Sequence, residues 1–141
     1  MSLLLLDTHV WLWTTEGNAR RVGRRARQLI ARAEGRGEVR VSPASIFEVA
    51  ALHTLGRLRL ARPVESWIQE ALEVTGLRVA PLSPDVAIDA GLIPRTALPD
   101  SLDRLLVATA RETQATILTA DERILTYAAD TSDVRAHDAR L

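Results

Sequence analysis

A chain of 141 residues, 47% hydrophobic and 26% charged, has the composition of an ordinary globular domain. It has no cysteine, which excludes disulfides and thiolate metal sites, and all 18 of its basic residues are arginine, which excludes any mechanism that needs a lysine. Its net charge of zero excludes a molecule that binds nucleic acid through overall basicity, although Arg20, Arg21, Arg24, Arg25, Arg27 and Arg32 crowd one short segment.

Leu3–Asp7 is an unbroken apolar run ending in an acid, the signature of a strand buried on both faces. The run is too short for a membrane span and has no basic residues ahead of it, so a cytoplasmic protein is expected. His9 to Thr15 reads as a short helix carrying Trp11 and Trp13. From Arg20 to Ala33 the apolar residues Val22, Ala26, Leu29, Ile30 and Ala33 recur at helical spacing, with arginines opposite and Gly35 and Gly37 as the stop. Val39–Val41 is a second strand. Ser42-Pro43 is an N-cap followed by proline at the first helical position, opening a helix to about Leu55 that Gly56 closes.

Pro63 to Val74 is a further amphipathic helix closed by Gly76, and Leu77–Leu82 is a third strand. Ser83-Pro84 repeats the cap-and-proline signal for a helix ending near Gly91. Asp100 or Ser101 starts the next helix, with Leu102, Leu105, Leu106 and Ala108 along it. Ala115–Thr119 is a fourth strand, Asp121 to Tyr127 a short helix, and Val134–Ala136 a last edge strand. Strands alternating with helices predict an α/β sandwich around a mostly parallel sheet of four to five strands, formed by residues 1–141 as one unit.

Ligands of open α/β sheets bind outside the carboxyl ends of the strands. Asp7 ends the first strand and Asp121 follows the fourth. Glu48 lies within two turns of the start of the helix after strand two, and Asp103 falls in the first turn of its own helix. Parallel strands would let all four converge. Four carboxylates in one pocket repel, so either protons or cations must neutralise them. Oxygen ligands in that number suit Mg²⁺ or Mn²⁺, ions that activate water and stabilise charge on a phosphoryl oxygen. Each acid also has a local reading. Asp7 and Asp121 can cap the helices that follow them, and Asp100 with Asp103 has the spacing of an N-cap and its N3 partner. Glu48 sits among Ile46, Phe47, Val49 and Ala50, where a carboxylate needs a partner or a path to solvent.

Four segments, in order, resemble the PIN domain and in particular the VapC-type toxins of bacterial toxin–antitoxin pairs. They are Leu3-Leu4-Leu5-Leu6-Asp7-Thr8-His9, Ser42-Pro43-Ala44-Ser45-Ile46-Phe47-Glu48-Val49, Pro99 to Ala110 with Asp100 and Asp103, and Ile117-Leu118-Thr119-Ala120-Asp121. The resemblance implies a PIN-like α/β/α sandwich and a Mg²⁺- or Mn²⁺-dependent endoribonuclease. Asp7, Glu48, Asp103 and Asp121 would be its catalytic and metal-binding acids. Asp103, followed by Arg104-Leu105-Leu106, is the residue assigned to the metal, with Asp100 alternate or auxiliary. Thr119 would orient a carboxylate or water beside the fourth acid. An inhibitory VapB-type antitoxin, an RNA substrate and a homodimer are also implied. Arg20, Arg21, Arg24 and Arg25 are candidate contacts to RNA or to an acidic antitoxin segment.

Rival chemistries lack their residues. A phosphatase of the haloacid-dehalogenase type needs a second acid where His9 stands and a lysine besides. A receiver domain needs the same lysine, and a P-loop needs Gly-Lys-Ser/Thr after a strand. A PIN-like domain that only binds a protein or RNA partner is the remaining alternative.

Overall fold

The computed structural model describes residues 3–141. Five short strands form one sheet: β1 (Leu4–Leu6), β2 (Val39–Val41), β3 (Leu77–Val79), β4 (Thr116–Thr119) and β5 (Arg135–Asp138). Their order is β3-β2-β1-β4-β5, and every pair is parallel. The helices are α1 (Thr8–Thr15), α2 (Arg24–Arg36), α3 (Pro43–Thr54), α4 (Val64–Leu72), α5 (Pro84–Leu92), α6 (Ser101–Thr113) and α7 (Glu122–Thr131). Among the described residues, no helix is long and apolar enough to cross a membrane.

The apolar run of β1 is buried on both faces because its side chains alternate between two cores. Leu4 and Leu6 pack with Trp11, Val22, Ile30, Val41 and Trp67 under α1, α2 and α4. Leu5 packs on the other side with Leu98, Leu106, Ile117, Ile124 and Tyr127, beneath α6 and α7. α5 lies outside this layer and joins it through Val86, Ala90 and Ala108.

The two serine caps work as their spacing predicts. Ser42 Oγ accepts from Ala44 N at 3.0 Å, and Ser83 Oγ accepts from Val86 N at 3.3 Å. Several boundaries differ from expectation. The helix read from Arg20 to Ala33 is broken: Ala19–Arg21 is a 3₁₀ turn, and α2 starts only after Gly23. Gly23 N donates to Ala139 O and Arg25 N to Leu141 O, so the far end of the chain packs where a Cβ on residue 23 would collide. α2 then runs through Gly35 and stops at Gly37, whose φ of 69° is the left-handed cap that glycine favours. β3 ends at Val79 rather than Leu82, since Pro81 has no N–H to continue the ladder. α7 continues past Tyr127 to Thr131, where Ser132 turns left-handed, and β5 consequently begins at Arg135 rather than Val134.

Chain order reverses beside β1: the sheet grows outward through β2 and β3, then resumes on the other flank with β4 and β5. The crevice at the carboxyl ends of β1 and β4 is therefore the topological switch point, where ligands of such sheets bind.

Candidate active site

Two residues flank the switch point, one from each strand. Asp7 leaves β1 and caps α1, its backbone N–H bonded to Leu118 O on β4. Its side chain is 7% exposed, with Oδ1 accepting from Thr8 N at 2.7 Å and Oδ2 from Thr119 Oγ1 at 2.6 Å. Thr119, fully buried at the end of β4, spends its one proton on Asp7 and accepts from Asp121 N at 2.9 Å. The hydroxyl, 112 positions from Asp7 in sequence, thus ties the first acid to the fourth. Asp121 in turn caps α7, its Oδ1 accepting from Arg123 N and Ile124 N.

The other acids arrive on helices. Asp100 is exposed and caps α6, its Oδ1 taking the N–H groups of Leu102 and Asp103 at 2.8 and 3.4 Å. Asp103, one turn inward, is half-buried, as is Glu48 in the second turn of α3. α3 contacts both α1 and α6, which brings Glu48 to the same edge. The local and the convergent readings of these acids are compatible. Three of them cap a helix through one oxygen, and for Asp100 and Asp121 the second oxygen stays outside the cap.

Electrostatics report the convergence. The Asp103 carboxyl is pushed up to about 8, first by burial and then by the charges of Asp100, Asp121, Asp7 and Glu48. Asp7 is also raised, chiefly by burial, with the Thr119 and Thr8 hydrogen bonds and the charge of His9 opposing and Glu48 adding to the rise. Among the described residues, none of these five acids is in an ion pair. A neighbouring pair of acids behaves differently. Arg140 bonds both oxygens of Asp138 and reaches Glu122, which holds the Asp138 carboxyl below its usual range. The edge therefore carries charge-compensated acids beside uncompensated ones.

The five acids offer carboxylate oxygens, which suit a hard divalent cation. Among the described residues, no three acidic or histidine side chains stand close enough to form a closed metal cage. Mg²⁺ does not need one, since it keeps several waters and binds through one or two carboxylates. The donor chemistry and the unbalanced charge fit such an ion.

Sequence reasoning passed over three supporting residues. Thr8 Oγ1 donates to Ser45 Oγ at 2.9 Å, a buried bond that locks α1 to α3 one turn before Glu48. Arg104 Nη1 donates to Leu98 O and Pro99 O, fixing the segment that leads into α6 beside Asp103. All three lie inside the quoted motifs, where a hydroxyl directly after the leading acid was the available signal for Thr8.

The pattern of the PIN domain matches residues 4–130. The chain belongs to the PIN-domain family. All five acids fall inside the PIN match, and β5 lies beyond it. A PIN relative, ribonuclease VapC22 of Mycobacterium tuberculosis, is 35% identical over 127 residues, 90% of this chain and 93% of that one. Solved structures share the fold at low identity. A chain of the DNA-bound VapBC complex of Salmonella typhimurium superposes with a TM-score of 0.67 at 15% identity, covering 98% of each chain. A chain of VapBC2 from Rickettsia felis, bound to a promoter DNA fragment, gives 0.64 at 13% identity, covering 96% of this chain and 97% of that one.

Proposed function

We propose that this PIN-domain protein is a metal-dependent endoribonuclease, the toxin of a toxin–antitoxin pair, and that residues 1–141 act as one unit in the cytoplasm. The observation that carries the reading is the group of uncompensated carboxylates at the switch point, whose repulsion adds to burial in pushing Asp103 up to about 8. Similarity to ribonuclease VapC22 supports the activity, and similarity to chains of VapBC complexes supports an antitoxin partner.

Asp7 and Asp103 are the residues we assign to direct metal contact, with Glu48 and Asp121 acting directly or through water and Asp100 auxiliary. A bound Mg²⁺ or Mn²⁺ would supply water of lowered pKa and charge stabilisation at the phosphoryl oxygen. The chain's own residues do the rest. Thr119 fixes the Asp7 carboxylate and, through the same oxygen, the start of α7. The Thr8–Ser45 bond holds the helix carrying Glu48 against the helix that Asp7 caps. Arg20, Arg21, Arg24 and Arg25, all exposed, are proposed contacts to RNA phosphates or to the antitoxin. Exposed Ile88 and Leu92, one turn apart on α5, and Phe47 on α3 offer apolar surface in keeping with a homodimer.

The test is RNA cleavage by the purified, antitoxin-free protein with Mg²⁺ or Mn²⁺, with EDTA, and beside Asp7→Asn. Metal-dependent cleavage lost in the variant is the expected result. Full activity of Asp7→Asn would overturn the assigned site. Metal binding without cleavage of any RNA offered would favour the binding-only alternative. Comparing Asp100→Asn with Asp103→Asn separates the auxiliary acid from the ligand, because Asn preserves the cap at position 100.

A further inference from the structure

One groove leads away from the acidic edge along α1. It encloses about 470 Å³, in the range of clefts that seat small ligands, and is walled by His9, Trp13, Arg21, Arg57 and Arg59, with Glu16 the acid on its rim. The two tryptophans of α1 have separate fates. Trp11 is fully buried in a T-shaped contact with Trp67, centroids 5.4 Å apart. Trp13, two residues on, is only half-buried and turns to the groove. The Arg21 guanidinium lies over its ring, 5.7 Å from the centroid, and His9 stands one turn back at 6.4 Å.

We infer that this groove holds single-stranded RNA next to the scissile phosphate, with Trp13 and Arg21 as the stacking surface for a base and Arg57 and Arg59 as phosphate contacts. The inference rests on the nuclease reading above and adds where the substrate strand runs. An aromatic face with interleaved arginines is the general device for single strands, since every base has a π-face and every step a phosphate. Position supports it. Asp7 caps the same helix, and Trp13 follows six residues later, about 9 Å along the axis at roughly 1.5 Å per residue. A strand whose phosphate reaches Asp7 continues naturally past His9 into the groove. The net charge of zero makes three arginines in one cleft a local feature rather than a general basicity.

The test is binding, kept apart from cleavage by EDTA. Short fluorescein-labelled homopolymers of U and of A would be titrated into the wild type, Trp13→Leu, Trp13→Phe and the double variant Arg57→Gln with Arg59→Gln, over a range of salt. Each variant's fold would be checked by thermal melting. Trp13→Leu should weaken binding roughly tenfold or more, and Trp13→Phe should recover much of the loss. The double arginine variant should lower the slope of log affinity against log salt by roughly 1.4. Folded variants that bind with wild-type affinity and salt slope would overturn the inference, even if the wild type cleaves RNA. RNA binding that depends on Trp13 in a protein without cleavage would uphold the groove and count against the nuclease reading alone. An acidic peptide whose binding needs Trp13, with RNA binding indifferent to it, would overturn the inference in favour of a protein partner.

Discussion

The two ends of α6 handle charge in opposite ways. At its C-terminal end Arg111 binds both oxygens of Asp89 on α5, at 2.6 and 3.1 Å, and reaches Asp133, which also accepts from the Tyr127 hydroxyl. Arg111, Asp89 and Asp133 are paired with one another there, and the cluster staples α5 and α7 to α6. At its N-terminal end Asp100 and Asp103 face Asp7, Asp121 and Glu48, none of them in an ion pair among the described residues, so burial and repulsion raise Asp103 to about 8. One helix thus carries a network that strengthens the fold and a cluster that weakens it. Residues that oppose local stability without compensation mark the places where the fold serves something else.

Substitutions at the two ends should therefore move activity and stability in different directions. Asp7→Asn should reduce metal-dependent RNA cleavage to background while its melting temperature stays close to wild type, because Asn also caps a helix. Thr119→Val, which removes the hydroxyl that steers Asp7 and Asp121, should cost roughly 10–100-fold in activity or metal affinity, the usual effect of losing a ligand's orienting partner. Metal titration and initial rates check both.

Asp103→Asn should abolish or cripple cleavage yet make the metal-free protein more stable, by about 1–2 kcal/mol once solvent access to the site is allowed for. The pH dependence follows from the same shift. An unfolded aspartate titrates near 3.8 and folded Asp103 near 8, so between those values the native state holds a proton that the unfolded chain has released. Raising pH through that window favours unfolding, and the metal-free protein should lose stability progressively until about pH 8. In Asp103→Asn this slope should flatten, as denaturant melts across pH would show. Smallest of all, Arg111→Met should leave cleavage unchanged and lower stability by about 1 kcal/mol, since the paired end is half-buried and still partly screened by solvent.

Local signals in the sequence marked the candidate acids better than they marked the residues that support them. Ser42-Pro43 and Ser83-Pro84 placed two helix starts to the residue, because a cap is written within three positions. The β1 run and its terminal Asp7 were legible for the same reason. The break before α2 was not, because Gly23 is shaped by residues 139–141 at the other end of the chain. Nor could α1 be oriented, since Val10, Trp11, Leu12 and Trp13 leave no polar face to show which tryptophan points inward. The Thr8–Ser45 bond and the reach of Arg140 to Glu122 join separate elements, and no spacing within a motif encodes them.

The strand order has a consequence for synthesis. Because β1 is flanked by β4, β1 leaves the ribosome more than a hundred residues before the strand that completes its pairing. A nascent chain that has not yet exposed Thr119 and Asp121 has Asp7 without its hydroxyl partner and the pocket without its last wall. Pairing of such long sequence separation is slow and must wait for the chain that supplies it. Assembly of the acidic cluster is thereby deferred until β4 and Asp121 have been made, and a fragment truncated before β4 would lack both.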